Sequence, residues 1–579
     1  MNQLHTAFSP TLADPLPDYP RPQLARQAWT NLNGLWDYAI TATPSEPEHY
    51  TGRIRVPFSP EAALAGVERQ LQPGETLWYH RRVVLPAHAP GDHIRLHFGA
   101  VDQFCRVFVD RALIGEHTGG YWPFDLELPT DRAEIDLIVA VQDHTDQGSE
   151  AYGKQKLARG GIWYTAQSGI WQTVWLEVVP AVYVTALTIT PMLAEASVKV
   201  TVVLNTTDRT PITIRVLAAG EPVAAVTDTR RTQTLILPAP HPWSPADPFL
   251  YDLRITVGED EVRSYFGLRS FTRGKDAKGH PAFLLNGEPV FQSGLLDQGY
   301  WPDGLYTAPS DAAVVKELRA IRALGFNMVR KHIKIEPLRW YYHCDRIGLL
   351  VWQDLPSGGG PYDDTIIRKL PFVGVTLNDH DYKRLGRSDA RGRAHFIRDA
   401  DRTVRLLQNV VGLCTWVPFN EGWGQFDSVQ LAARIRQHDP TRLIDHASGW
   451  YDQGGGDFKS VHRYYKPYRV HADAAGRIQA LTEFGGYSLA VPDHLATGTP
   501  YGYRHYRTAS QLMTALVKLY RKKVLQQLGA GLAVAIYTQV ADVEDEVNGL
   551  WTYDRAILKV DADQLRALNA EIQRRYAQP

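Results

Sequence analysis

The spacing of apolar residues changes period once along the chain, near residue 280. From Leu77 to about Pro180 short runs alternate apolar and polar positions, as in "WYHRRVVLP", "HIRLHFGAV", "CRVFVDRALIG" and "IWQTVWLEVV", with Gly, Pro and Asp clusters between them. Alternation with period two is what a strand with one buried face requires, and many such short runs predict an antiparallel sandwich. A second all-β stretch runs from about Tyr183 to Phe271 through "SVKVTVVLN", "TPITIRVLAAG", "TQTLILPAP" and "YDLRITVG", the size of one immunoglobulin-like sandwich. The polar segment "TRGKDAKGH", residues 272–280, reads as a linker.

Beyond it the period lengthens. "SDAAVVKELRAIRALG" carries Val314, Leu318, Ile321 and Leu324 on one helical face, with Ser310 as N-cap and Gly325 as stop. The strand "FNMVR" follows, and the alternation repeats: helix "EPLRWYYHCDRIG", strand "LLVWQD", helix "HFIRDADRTVRLLQN", strand "GLCTWVPFN", helix "DSVQLAARIRQHD". Strands "RLIDHAS", "FKSVHRY" and "QALTEF", helix "SQLMTALVKLYRKKVLQQLG", strand "LAVAIYTQ" and a helix after Asp561 complete the series, which "VFQSG" opens. Eight strands over about 300 residues predict a (β/α)8 TIM barrel. The expected architecture is two all-β sandwiches, over 1–182 and 183–272, followed by a barrel over 273–579. The helix between the sixth and seventh strands has the least pattern behind it. A doubly wound open sheet competes, but no Gly-rich phosphate loop supports it.

Composition narrows the chemistry. Lys and Arg number 62 against 63 Asp and Glu, so no global field favours nucleic acid or anionic lipid, and a small neutral substrate fits best. Aromatic residues make up 11% of the chain, which suits sugar faces and sandwich cores alike. Cys105, Cys344 and Cys414 have no metal-ligand spacing and cannot all pair, which argues for buried thiols in a reducing compartment. The first residues lack a basic start and apolar run, and no stretch reaches a membrane span of about 18 apolar residues. A soluble cytoplasmic protein is expected.

The candidate chemistry lies at strand ends, where a barrel keeps its reactive groups. Glu421 ends the fourth strand in "TWVPFNEGWG" and Glu483 the seventh in "ALTEFGGYS". Two carboxyls facing each other are what glycosidic cleavage needs, one protonating the leaving oxygen while the other attacks or activates water. Their roles must be divided by environment: burial and negative neighbours keep one protonated, while cations and donors keep the other ionised. Arg330 in "NMVRKHI" and Tyr464 in "SVHRYY" are the expected partners of the ionised carboxyl, and Asn420 a donor to a sugar hydroxyl.

At these residues the chain resembles glycoside hydrolase family 2. "WVPFNEGWG", "LTEFGGYSLA", "FGAVDQFCRVFVD", "GEHTGGYWPFD", "QSGIWQTVWLE" and "FLLNGEPVFQSG" carry the likeness from about Arg26 to the end. The resemblance implies a jelly-roll sugar-binding domain, an immunoglobulin-like domain and a catalytic barrel, in that order. It implies a retaining exo-β-glycosidase in which Glu421 is the acid/base and Glu483 the nucleophile, with Arg330, Asn420 and Tyr464 at the family's support positions. No cofactor or metal is implied.

Departures bear on the substrate. Family β-glucuronidases carry an Asn-x-Lys motif whose Lys grips the sugar carboxylate; "EVNGLWTYDR" has Asn548 at the Lys position, which disfavours an acidic sugar. The His that β-galactosidases hold three residues after the nucleophile is Gly486 here. Where the eighth strand usually offers a Trp platform stands Tyr537, so Tyr537 or Trp551 takes that place. His332 lies two residues after Arg330 rather than the family's three, and His462 in "VHRYY" has a β-mannosidase flavour. Both are candidate sugar contacts, as are Asp297 and Trp301 in "LDQGYWPDGLY". The acidic loop "ADVEDEVNG" misses EF-hand spacing, and the basic face of "KLYRKKVLQQ" reads as a solvated helix surface. The expected function is hydrolysis of terminal neutral β-glycosides, β-galactosides first. β-Mannosides or β-galactofuranosides are the alternative, and a catalytically silent carbohydrate-binding protein is the rival from another class. Sandwich domains often form subunit contacts, so a homo-oligomer stays open.

Overall fold

The computed structural model describes residues 4–6 and 14–578; the remainder of the N-terminal segment read for a leader lies outside the described residues. The first sandwich packs a four-stranded sheet (Trp29–Asn31, Val174–Val179, His93–Phe98, Phe124–Leu128) on a six-stranded one that includes Gly34–Thr41, Thr76–Val84 and Glu134–Gln142. Trp36, Tyr79, Leu96, Phe98, Leu137 and Leu176 fill the space between them. The second sandwich sets a three-stranded sheet (Val184–Met192, Ser197–Leu204, Thr232–Ile236) on a four-stranded one built around Ile212–Ala218 and Tyr251–Val257. Thr232–Ile236 alternates exposed and buried residues strictly, the pattern by which its sequence identifies it as a strand.

The barrel strands are β1 (Gln292–Asp297), β2 (Met328–Lys331), β3 (Leu350–Asp354), β4 (Leu413–Val417), β5 (Leu443–Ile444), β6 (Phe458–Arg463), β7 (Ile478–Gly485) and β8 (Leu532–Thr538). They form one eight-stranded parallel sheet in the order β5-β4-β3-β2-β1-β8-β7-β6. Most of them are buried along their whole length, because helices cover the outside. The longer helices are α1 (Asp311–Ala323), α2 (Leu338–Ile347), α3 (Ala390–Leu407), α4 (Ser428–His438), α5 (Ala509–Lys523) and α6 (Ala562–Tyr576). Ser310 caps α1 by accepting from Ala313 N, and Asp561 caps α6 by accepting from Gln564 N.

Two expectations change. Residues 464–477 hold no helix, and the β5–β6 connection, rich in glycine at 454–456, holds none either. The seam between β5 and β6 is stitched instead by Asp457, whose N–H donates to Ile444 O at 2.7 Å and whose carboxylate accepts from Ile444 N at 2.8 Å. The 272–280 linker is part of a β-hairpin in which Phe271–Lys275 pairs with Pro281–Leu285. Its polar residues form the turn, with Asp276 accepting from Lys278 N and His280 N, while Phe271 and Phe283 are buried beneath. No helix among the described residues is long and apolar enough to cross a membrane, and all three cysteines are buried and unpaired.

The first sandwich also reaches into the barrel mouth. Ala151 bridges to Gly358, and Tyr152 N–H donates to Ser357 O at 2.9 Å. This contact carries Lys154 and Tyr164 to the strand ends.

Candidate active site

Glu421 sits on the turn after β4 with φ of 50°, a left-handed conformation that costs a non-glycine residue energy unless neighbours hold it. Its N–H donates to Ser448 O at 3.0 Å, fixing the turn against the segment after β5. Glycine is required next: a Cβ on Gly422, itself at φ of +72°, would lie 2.4 Å from the Tyr451 ring. Glu483 lies inside β7, paired to His462 on β6. The two strand ends bring a carboxylate oxygen of Glu421, one of Glu483 and a ring nitrogen of His462 within 4.8 Å of one another.

The two carboxyls have different partners. Arg330, fully buried at the end of β2, makes a two-pronged ion pair with Asp354 of β3 at 2.9 Å and donates to Asn420 Oδ1 at 2.8 Å. Its third nitrogen faces Glu483 Oε1 at 3.5 Å. The Tyr464 hydroxyl donates to Glu483 Oε2, and the Tyr464 ring stacks on Tyr503 with centroids 4.0 Å apart. Glu421 Oε1 meets instead His462 Nδ1 at 2.7 Å.

Hydrogen-bond logic gives the direction of that last contact. Ser448 Oγ donates to Thr482 Oγ1 at 3.0 Å, so towards His462 Nε2, 3.3 Å away, it accepts. Nε2 therefore bears the ring proton, and Nδ1 offers a lone pair to Glu421. Burial pushes His462 down to about 3, so the ring is neutral at ordinary pH. A protonated Glu421 is the complement to that lone pair. Burial pushes Glu421 up to about 7, against the pull of Lys154 and Arg330. Glu483 is pushed up as well, by burial first and by the charge of Glu421, with Arg330 and the Tyr464 hydroxyl pulling down. The expectation of one raised and one ordinary carboxyl is thus replaced by two raised ones with different partners.

His332 Nδ1 bonds Gln298 Oε1 at 2.8 Å, and its buried Nε2 has no hydrogen-bond partner, lying 3.8 Å from Glu483 Oε1. A cleft of about 200 Å³ lined by Phe372, Trp450, His462, Arg463, Tyr464 and Tyr465 opens beside the pair.

Four anticipated contacts are engaged with other groups. The carboxylate of Asp297 is taken by Lys331 at 2.7 Å and by Gly299 N. The Trp301 ring is covered by the Arg555 guanidinium, 4.2 Å from its centroid. Tyr537 packs against Tyr520 of α5 and Phe484, on the helix side of its strand. Trp551, in the segment after β8, is buried and makes backbone bridges to Ala541 and Leu558. Alternation along a strand decides such cases, and the inward register of β8 is not legible from one sequence.

Other residues join the site without having been anticipated. Asp354 could have been read from "VWQDLP", since a buried Arg at one strand end calls for an acid at the next. Trp423, two residues after Glu421, sits 6.1 Å from the His332 ring with its indole N–H buried and unpaired. Lys154 and Tyr164, from the first sandwich, gave no sequence signal. The acidic loop is a clamp between domains: Glu544 accepts from Thr165 N, Asp545 pairs with Arg159, and Glu546 accepts from the Tyr164 hydroxyl. Among the described residues two carboxylate-histidine groups have metal-like spacing, the Glu421, His462 and Glu483 set and Asp379, His380 and Asp427. In the second, Asp379 already accepts from Ser428 N at 2.9 Å at the start of α4.

The profile "Glycosyl hydrolases family 2" matches residues 182–269, and "Glycosyl hydrolases family 2, TIM barrel domain" matches 281–480. The chain is 24% identical over 380 residues to a β-galactosidase of Thermoanaerobacter pseudethanolicus, covering 56% of this chain and 49% of the relative. It is 27% identical over 432 residues to a putative β-glucuronidase of Formosa agariphila, covering 69% and 50%. It thus spans about half the length of the curated relatives it matches. Among solved structures, a β-glucuronidase of Dictyoglomus thermophilum superposes with TM-score 0.75 at 17% identity, over 96% of this chain and 98% of that one. A β-galacturonidase of Eisenbergiella tayi gives TM-score 0.70 at 17% identity, over 96% and 99%. With both sandwiches and the barrel in the family's order and its profiles matched in two of them, the chain belongs to glycosyl hydrolase family 2.

Proposed function

We propose that the protein is a retaining exo-β-glycosidase for neutral glycosides, β-galactosides first. The carrying observation is the approach of the Glu421 and Glu483 carboxylate oxygens to within 4.8 Å. Retaining enzymes hold their carboxyls about 5 to 5.5 Å apart, whereas inverting ones need roughly 6.5 to 9.5 Å to admit a water. The pair shares one proton, which His462 Nδ1 seats on Glu421. Glu421 donates it to the glycosidic oxygen as Glu483 attacks the anomeric carbon, displacing the aglycone and forming a glycosyl ester. Glu421, now ionised, takes a proton from water, which cleaves the ester and returns Glu483 as a carboxylate. Arg330 and Tyr464 hold charge on Glu483 before attack and after release.

A uronide is the second reading, favoured by the β-glucuronidases among the relatives. A panel of nitrophenyl β-galactoside, β-mannoside, β-galactofuranoside and β-glucuronide, followed by NMR, tests both readings. The β-anomer as first product is expected, with a neutral sugar turned over fastest. An α-anomer as first product excludes retention, and a preference for the glucuronide excludes the neutral glycone. A panel without turnover, with sugar binding kept, supports the silent binding protein.

A further inference from the structure

His332 is the first of a line of buried side chains running away from the pair. Its Nδ1 bonds Gln298 Oε1 at 2.8 Å; Gln298 Nε2 donates to Gln539 Oε1 at 2.7 Å; Gln539 Nε2 donates to Asn548 Oδ1 at 2.6 Å; and Asn548 Nδ2 donates to Glu546 Oε1 at 2.9 Å. The other oxygen of Glu546 accepts from the Tyr164 hydroxyl and lies 3.7 Å from Lys154 Nζ, which itself donates to Tyr164 at 3.0 Å. With donors on both oxygens, Glu546 is an acceptor terminus.

That terminus sets every bond before it. A carboxylate can only accept, so Asn548 must turn its NH2 to Glu546 and its oxygen to Gln539; each glutamine then repeats the choice. The last oxygen meets His332, whose Nδ1 must carry the proton. We propose that this relay from Glu546 holds His332 in its Nδ1–H tautomer, so that Nε2 is a bare acceptor that reads a hydroxyl of a neutral glycone and turns away a carboxylate. The proposal deepens the glycosidase reading and rests on it for the identity of the ligand. Nε2 is buried and unpaired, 3.8 Å from Glu483 Oε1 and 3.9 Å from Asp354 Oδ2. A hydroxyl entering there supplies the donor the lone pair lacks. A carboxylate entering would meet a lone pair and two acids. Burial and the charges of Lys154 and Arg330 keep the His332 ring far below its ordinary range, so protonation does not rescue the acid. Asn548 and the two glutamines are positioning residues, acting through His332. Lys154 is engaged by Tyr164 and Glu546 and is not free to hold a uronate.

The test moves the charge without changing shape. In Glu546→Gln the terminus can donate or accept, the polarity is lost, and His332 divides between tautomers. In Glu546→Gln with Asn548→Asp the acceptor terminus shifts one step along the relay, since the amide introduced at position 546 can donate to the carboxylate introduced at position 548, and the polarity returns. Selective ¹⁵N labelling of histidine, assigned with His332→Asn, reads the tautomer independently of turnover. The single variant is expected to show mixed tautomers, a kcat/KM on the best neutral glycoside lowered about tenfold, mostly in KM, and a raised uronide-to-neutral ratio. The double variant is expected to restore the Nδ1–H signal and most of kcat/KM. An unchanged His332 signal in the single variant, or mixed tautomers in a folded double variant, overturns the relay. Should Glu546→Gln not fold, Asn548→Asp alone decides: it keeps an acceptor facing Gln539 and must show the wild-type tautomer, and mixed tautomers there overturn the proposal. Absence of turnover in the wild type with an intact Nδ1–H signal removes the glycosidase reading and leaves the relay standing.

Discussion

The ends of β4 and β7 carry the same side chain and treat it differently. Glu421 projects from a left-handed turn and is met by the lone pair of a neutral histidine. Glu483 sits within a strand whose register with both neighbours shifts around it, and is met by a guanidinium and a phenolic hydroxyl. Burial raises both carboxyls, so the shift alone does not separate the proposed acid from the proposed nucleophile. What separates them is whether the nearest partner accepts a proton or offers one.

The largest break in this comparison is Glu483→Gln, which removes the carboxylate proposed to attack. A loss of about 10⁴-fold or more in kcat is expected on every substrate, read by initial rates. Glu421→Gln should cost about 10²- to 10⁴-fold with poor leaving groups and much less with activated aryl glycosides, because those depart without a proton. Equal losses on both substrate types would take Glu421 out of the acid role. The same variant has a signature in stability. Glu421 is raised to about 7 in the folded state, so its favourable contribution is complete below the ordinary carboxylate range and is lost as pH rises through about 7. Chemical denaturation should show wild type losing up to roughly 3 kcal/mol relative to Glu421→Gln across that window.

Tyr464→Phe sharpens the comparison from the other side. Losing the hydrogen bond to Glu483 should lower kcat by about ten- to a hundredfold, the worth of a bond to a charged group. It should also raise the Glu483 carboxyl further, moving the acidic limb of the pH profile to higher pH. The smallest effect is expected for Lys154→Met. The ammonium pulls Glu421 down, so its removal lets Glu421 hold its proton longer, and the alkaline limb near pH 7 should shift upward by less than a unit. A downward shift would show that Lys154 acts on Glu421 in another way.

The barrel was legible because its strands and helices announce themselves by period and caps, as at Ser310 and Asp561. The carboxyl pair was legible because strand ends are fixed by the alternation of elements. Inward against outward register was not, and for that reason Tyr537 was expected in the pocket while its ring packs on α5. Contacts made across domains were silent too: nothing near Lys154 in the sequence marks it for a carboxyl pair at positions 421 and 483. The hairpin at 271–285 was hidden because its turn is polar and its two buried phenylalanines lie either side of it.

The loop by which the first sandwich enters the barrel mouth makes proton affinity at the reaction centre a property of two folding units jointly. Loosening that junction by heat, denaturant or a substitution at Gly358 would alter the acid before either unit melts. Loss of the proposed activity would then run ahead of unfolding, and the sandwich would serve as a built-in gauge of whether the candidate site is assembled.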